Sequence, residues 1–201
     1  MDDLKPLNKQ KLNNLRPGNL FGNETGSIYD EISKNNRKKE NLGQTFATQF
    51  SFWKDYLNKT MECTNCKSII LYITSLVVEL FLKTLLIYTF DIKSYRNKVS
   101  VNVNGVMKNL SLRDIGHNID LLLRLFKENA NLLQVNQNVL RNLEGNIFTL
   151  LKTESLRNDY TPLRYNSDKN DNVIYDDYEN IIDDEEKVIV KEVLELCILK
   201  Y

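Results

Sequence analysis

The chain contains a single histidine, His117, so acid–base chemistry by an imidazole near neutral pH must run through this side chain. Arg113 lies four residues earlier, and the two side chains could share a helical face. A histidine that moves protons and an arginine that binds phosphate are the two groups that metal-free RNA cleavage needs. However, Asp114 would repel a phosphate, and Ile115 and Ile119 on either side indicate that the His117 ring points inward. These neighbours favour a hydrogen-bonded core or cap histidine.

A second pair of charged residues lies in the most apolar stretch of the chain, residues 69–90. Glu79 and Lys83 are four residues apart, so on a helix they lie one turn apart on the same face. Two charges in a helix that is apolar on nearly every side must be paired, because an unpaired buried charge is very unfavourable. We expect one buried polar network that holds three helices in register, formed by Glu79, Lys83, His117, Arg164 and Tyr165.

The stretch 69–90 is also long enough to span a membrane. A charged residue near the centre of a spanning helix costs about 2.5–3.5 kcal/mol on insertion scales, and this stretch has both Glu79 and Lys83. No clear Lys/Arg-rich flank or Trp/Tyr belt marks its ends. We therefore expect a buried core helix and no stable membrane insertion.

Hydrophobic periodicity predicts a single helical bundle of about five helices, which places the chain in the all-α class. One segment has a period of two instead: valines alternate with polar residues from Val99 to Val103, and Asn104-Gly105 follows. This pattern predicts a small inserted β-hairpin near 98–110, because a type I′ turn needs positive φ at both central residues. The predicted helices span 44–60, 69–90, 112–129, 136–153 and 183–199. We expect Ser111 and Asp114 to form a capping box for the third of them, and Asp183 to cap the last.

Composition separates the first part of the chain from the rest. Residues 1–43 are polar and rich in Gly, Asn and Lys, which predicts an extended or partly disordered segment before one domain at 44–201. The net charge is zero, although residues 166–201 hold 11 Asp and Glu against 4 Lys and Arg. The remainder is therefore only mildly basic. This balance is far from that of a dedicated nucleic-acid-binding domain, and RNA stays open as a partner.

The three cysteines, Cys63, Cys66 and Cys197, are too few for a disulfide framework and favour a reducing, cytoplasmic location. No signal-peptide pattern opens the chain. Cys63 and Cys66 have the spacing of half a zinc site, and a full site needs a second pair, so they are weak candidate ligands and we predict no metal. The seven scattered glycines form no phosphate-binding loop, and we predict no cofactor.

Three short motifs together resemble the HEPN superfamily of small all-helical domains. They are Glu79-x-x-x-Lys83-x-Leu-Leu in the apolar stretch, Gly116-His117 before a Leu-rich helix, and Arg164-Tyr165 before the last helix. The resemblance covers about residues 45–200. It implies a helical bundle of the kind often encoded beside toxins, nucleotidyltransferases and phage-defence systems. It also implies pairing of two copies through a helical face.

The chain departs from the pattern of HEPN ribonucleases. Those proteins carry an Arg, then four to six residues, then a His. The matching positions before His117 are Leu110, Ser111 and Leu112, and Arg113 has only three residues between it and the histidine. The resemblance therefore implies a member that does not cut RNA.

We expect a non-catalytic interaction module of a bacterial or phage defence or toxin–antitoxin type system, which binds a protein partner or forms a homodimer. One alternative is a metal-independent RNA-cleaving toxin that uses Arg113 and His117. A second alternative is a membrane-associated protein anchored through residues 69–90.

Overall fold

The computed structural model describes residues 41–133 and 135–198, which belong to one compact unit. This part of the chain is mainly helical and contains one two-stranded antiparallel hairpin, as predicted. It has eight α-helices where the sequence predicted about five, because three of them are only four or five residues long. The helices are α1 (Leu42–Cys63), α2 (Lys67–Phe90), α3 (Leu112–Ile115), α4 (Ile119–Glu128), α5 (Ala130–Leu133), α6 (Gln137–Leu150), α7 (Glu154–Asn158) and α8 (Asp184–Leu196), and a 3₁₀ helix (Thr161–Tyr165) follows α7.

The prediction for residues 1–43 falls almost entirely outside the described residues. Only its last three residues are described. Asn41 caps α1 by accepting a hydrogen bond from the backbone N–H of Gly43 at 3.1 Å, and the helix begins at Leu42.

Helix α2 lies at the centre of this unit. It is apolar on nearly every side, and 16 of its 24 residues are buried, so it packs against other elements around most of its circumference. Its neighbours are α1, α4, α5, α8 and the 3₁₀ helix. By length and composition α2 could cross a membrane, and 78% of its most apolar 18-residue window is buried within the protein.

Helix α1 packs closely along α2. Its buried stripe includes Phe46, Phe50 and Leu57, at the spacing expected of one helical face. Gly43 permits the close approach at the start of α1, since a Cβ atom there would lie 2.9 Å from the ring of Tyr88 on α2.

The predicted hairpin is confirmed. Strands β1 (Lys98–Val103) and β2 (Val106–Ser111) pair in an antiparallel ladder. Asn104 and Gly105 connect them with φ values of 56° and 75°, which is the left-handed pair of a two-residue turn. The ladder places β1 against α4, and the hairpin leads directly into α3.

The single helix predicted over 112–129 is wrong, because the chain forms two helices there. Ser111 and Asp114 make the predicted capping box that opens α3. The helix then stops at Gly116, whose φ of 57° is favoured by glycine. Asn118 caps α4 by accepting a hydrogen bond from the N–H of Leu121 at 2.6 Å. His117 is therefore left in the connection between two helices.

The last described helix is also capped as predicted. Asp183 and Glu186 form a capping box at the start of α8. In this capping box Glu186 Oε2 accepts a hydrogen bond from the backbone N–H of Asp183. Its second oxygen, Oε1, accepts a hydrogen bond from Lys67 Nζ at 2.5 Å, and both side chains are nearly buried. This ion pair joins the first turn of α8 to the first turn of α2.

Candidate functional site

Glu79 is buried in the middle of α2, and its carboxylate contacts three polar side chains. One carboxylate oxygen, Oε1, lies 2.7 Å from Lys83 Nζ, one helical turn further along α2. The other oxygen, Oε2, lies 2.9 Å from His117 Nδ1 and accepts a hydrogen bond from the Tyr160 hydroxyl at 2.5 Å. We refer to Glu79, Lys83, His117 and Tyr160 as the Glu79 cluster. Its members come from three separate parts of the chain.

Lys83 has no exposed surface. Besides Glu79, its ammonium donates a hydrogen bond to the Gly116 carbonyl at 2.6 Å. It also lies 3.5 Å from the Tyr95 hydroxyl and 5.7 Å from the centroid of that ring. The buried charge is thus compensated by a carboxylate, a carbonyl and an aromatic face, as a lysine in this position requires.

His117 is only half-buried, so the prediction that it points inward is wrong. Its side chain is 52% exposed, although Nδ1 contacts the buried carboxylate. The ring follows the break at Gly116 and lies edge-on against Tyr160, with 5.6 Å between ring centroids. Within the described residues, Nε2 makes no hydrogen bond with protein.

Arg113 is exposed and lies within α3, whereas His117 follows the end of that helix. The two residues are therefore not on one helical face, and the expected four-residue geometry is absent. The backbone N–H of Arg113 donates a hydrogen bond to the Tyr95 carbonyl at 3.3 Å. The structure gives no contact between Arg113 and His117 in the described chain.

Tyr160 is a member of the site that sequence reasoning missed. It has only 1% of its surface exposed and lies just before the 3₁₀ helix. The available signal was weak: a buried tyrosine needs a partner for its hydroxyl, but nothing in the local sequence shows that Tyr160 is buried.

Arg164 and Tyr165, which the network prediction included, both lie in the 3₁₀ helix that follows Tyr160. The Arg164 guanidinium is 5.2 Å from the centroid of the Tyr165 ring. Arg164 is partly buried, whereas Tyr165 is largely exposed, in contrast to the burial predicted for it.

The charges of the Glu79 cluster stabilise one another. Burial alone would raise the pKa of Glu79, but the hydrogen bond from His117 and the charges of Lys83 and His117 outweigh it and lower the pKa. The hydrogen bond to Glu79 raises the pKa of His117, against the opposing effects of partial burial and of Lys83. The cluster therefore favours an ionised carboxylate and a protonated imidazole.

The cysteines do not come together as a metal site in the described chain. Cys63 is exposed, Cys66 precedes α2 and lies 3.5 Å from the Ser68 hydroxyl, and Cys197 is buried. Burial raises the pKa of the Cys197 thiol to about 12, which keeps it protonated. Residues 41–133 and 135–198 contain no group of three or more His, Cys, Asp or Glu side chains placed to hold a metal ion.

Chemically, the cluster offers one group that can exchange a proton with solvent, the imidazole of His117. Its orientation is fixed by a buried carboxylate, as in acid–base sites. The cation inside the cluster, Lys83, is enclosed and already bonded to Glu79 and Gly116. The cluster thus contains one accessible proton carrier, His117, and its lysine is not available to bind a phosphate.

Comparison with known proteins finds no protein-family model, no curated protein and no solved structure that matches this chain.

Proposed function

We propose that the chain is a non-catalytic interaction module of the HEPN type, folded as a single helical bundle, which binds a protein partner or a second copy of itself. The observation that supports this proposal best is the saturation of Glu79. Three donors, from Lys83, His117 and Tyr160, meet its carboxylate in a buried position. The polar residues best suited to acid–base chemistry are thus engaged in bonds that join elements of the fold.

A catalytic carboxylate or imidazole must exchange protons and partners during turnover. At Glu79 such an exchange would leave the buried Lys83 without its partner, because Lys83 has no access to water. The position of Glu79 on the central helix means that the same exchange would loosen α2, the α3–α4 connection and the segment before the 3₁₀ helix. These bonds therefore support a structural role for Glu79 over a catalytic one.

The biological setting that we propose rests on the resemblance of three sequence motifs. Glu79 with Lys83, Gly116-His117 and Arg164-Tyr165 resemble HEPN domains, and on that basis we place the module in a bacterial or phage defence or toxin–antitoxin type system. The burial of most of α2 supports a protein without membrane insertion, since the apolar surface that would face lipid is used for internal packing. A cytoplasmic location is part of the same proposal.

Expression in a bacterial host tests the proposal. Cultures that express the parent chain, the His117→Ala variant or neither protein should grow at the same rate. The variant is the matched control, because it removes the single imidazole and leaves the rest of the chain unchanged. Growth arrest by the parent that His117→Ala relieves would contradict the non-catalytic role.

A second candidate function, metal-independent RNA cleavage, is favoured by one observation. The His117 ring is half-exposed, and its Nδ1 is held by Glu79 while Nε2 makes no hydrogen bond with the described protein residues. A histidine held in this way can act as a general base or acid. Incubation of labelled RNA with the purified protein in chelator tests this function, and Arg113→Ala tests whether the cation predicted for this alternative takes part.

A further inference from the structure

The outer side of α1 carries an aromatic surface that the described core does not cover. Phe52 is 59% exposed, and its ring contacts those of Trp53 and Tyr56, with centroids 5.4 Å and 6.3 Å away. The Trp53 and Tyr56 rings are also in contact, at 5.5 Å, and both are partly buried against the core. We refer to these three residues as the aromatic face. Exposed groups of aromatic side chains that contact one another are typical of protein interaction sites.

Two opposite charges flank the aromatic face. Asp55 and Lys59 are both exposed, and at three and seven residues after Phe52 they lie on the same side of the helix. Neither residue has an ion-pair or hydrogen-bond partner in the described part of the chain. Two opposite charges on one side of a regular helix are self-complementary, because a second copy that runs in the opposite direction presents them in reverse order.

We propose that two copies of this chain pair through α1, with the two helices antiparallel and the twofold axis level with Leu57. This inference rests on the proposed function and names its partner and surface. Leu57 is midway between Asp55 and Lys59, so each aspartate meets the partner's Lys59 and both ion pairs form at once.

The same arrangement covers the exposed aromatic ring. Phe52 lies five residues from the axis, about 7.5 Å along the helix, and therefore packs on the last turns of the partner's α1. A helix of 22 residues is about 33 Å long, so the contact has room for the two ion pairs beside the axis and for one Phe52 ring on either side of them. A second copy thus covers the aromatic ring and satisfies both charges.

Exchange of the two charges gives a sharp test. Sedimentation of the full chain at micromolar concentrations should show a dimer. Asp55→Lys and Lys59→Asp should each weaken it about tenfold or more, because each change places like charges opposite one another twice. An equimolar mixture of the two single variants should dimerise again, and so should the double variant Asp55→Lys/Lys59→Asp.

The mixture separates pairing between chains from an effect within one helix. If Asp55 and Lys59 acted only within their own helix, the double variant would dimerise as the parent does, but the mixture of single variants would not form a dimer. A mixture that stays monomeric would therefore overturn the proposal.

Substitution of the aromatic face gives an independent measurement. Phe52→Ala should weaken the dimer by roughly tenfold or more, since an aromatic side chain that is covered on association contributes a large share of an interface. Leu132→Ala is the matched control, because Leu132 is 60% exposed on α5 and lies outside the proposed contact, and it should leave the dimer unchanged.

The possible failures are distinguishable. If Phe52→Ala and the charge exchanges leave the dimer unchanged, the proposal that α1 forms the interface is overturned, but the proposal that two copies associate is not. A parent that stays monomeric throughout the micromolar range would overturn pairing of two copies. In that case RNA cleavage and growth arrest still decide separately whether the chain is an interaction module for another protein.

Discussion

Two acid–base pairs with the same four-residue spacing lie on neighbouring helices of this protein, and their surroundings differ completely. Glu79 and Lys83 on α2 are buried and bonded at 2.7 Å. Asp55 and Lys59 on α1 are exposed, and neither is in an ion pair within the described chain. Spacing permits contact in both cases, but only burial makes the contact necessary, because water solvates an exposed charge and cannot reach a buried one.

This difference separates two kinds of role. The pair on α2 is part of a network whose bonds are all directed into the fold, whereas the pair on α1 is available to another molecule. Substitutions in the Glu79 cluster should therefore change stability. Substitutions on the outer side of α1 should change association and leave stability almost unaltered.

The largest effect is expected for Glu79→Gln. The variant leaves the fully buried Lys83 without a counter-ion, and such a loss costs about 3–5 kcal/mol in the free energy of unfolding. Asp55→Asn is the matched control on α1 and should cost less than about 1 kcal/mol. Urea titrations of both variants measure this comparison. Equal stabilities for Glu79→Gln and the parent would show that the cluster does not hold the fold.

A smaller effect is expected for Tyr160→Phe. The change removes one hydroxyl from a buried carboxylate without altering the ring, and hydrogen bonds to charged groups contribute about 1.5–3 kcal/mol. Tyr178→Phe is the control, since that side chain is among the most exposed in the described chain, and it should not change the melting temperature. If both variants have the melting temperature of the parent, the hydrogen bond between Tyr160 and Glu79 does not contribute to stability.

His117→Gln should alter the pH dependence of stability. Glutamine can still donate a hydrogen bond to Glu79, but it cannot titrate. Since folding raises the pKa of His117 above 6.5, the protonated ring stabilises the parent fully below that pH, and this contribution disappears as the pH rises through the folded-state pKa. The difference in unfolding free energy between parent and variant should therefore be greatest at acidic pH. A difference that is constant from about pH 5.5 to about pH 8.5 would contradict the raised pKa.

The smallest effect on stability is expected for Phe52→Ala, measured in dilute protein. The side chain is mostly exposed, so its truncation should cost less than about 1 kcal/mol. Phe50→Ala, two residues earlier on the same helix, removes a buried ring and should cost about 3–5 kcal/mol. A large loss for Phe52→Ala would mean that the aromatic face belongs to the core.

Local sequence chemistry predicted those parts of the fold that depend on a few adjacent residues. Asn104-Gly105 predicted the hairpin, because few residues accept positive φ at two successive positions. Ser111 with Asp114 predicted the start of a helix in the same way. The unbroken apolar run of α2 predicted a buried helix, and the paired Glu79 and Lys83 followed from the high free energy of an isolated buried charge.

The parts that could not be predicted depend on contacts between distant segments. Periodicity joined α3 and α4 into one helix, because a single glycine changes the apolar pattern little while its positive φ ends the helix. That break decides the exposure of His117 and separates it from Arg113. The burial of Tyr160 against Glu79 joins residues 81 positions apart, and no local pattern reveals it.

Cleavage of labelled RNA by the purified protein tests the central claim most directly. Single-stranded and structured RNA are incubated in chelator near neutral pH with the parent and with His117→Ala, and the products are separated by size. We predict that the RNA stays intact in every reaction, because the imidazole is committed to Glu79 and the cation beside it is enclosed. Cleavage by the parent that is lost in His117→Ala would contradict the non-catalytic role and establish His117 as a catalytic residue.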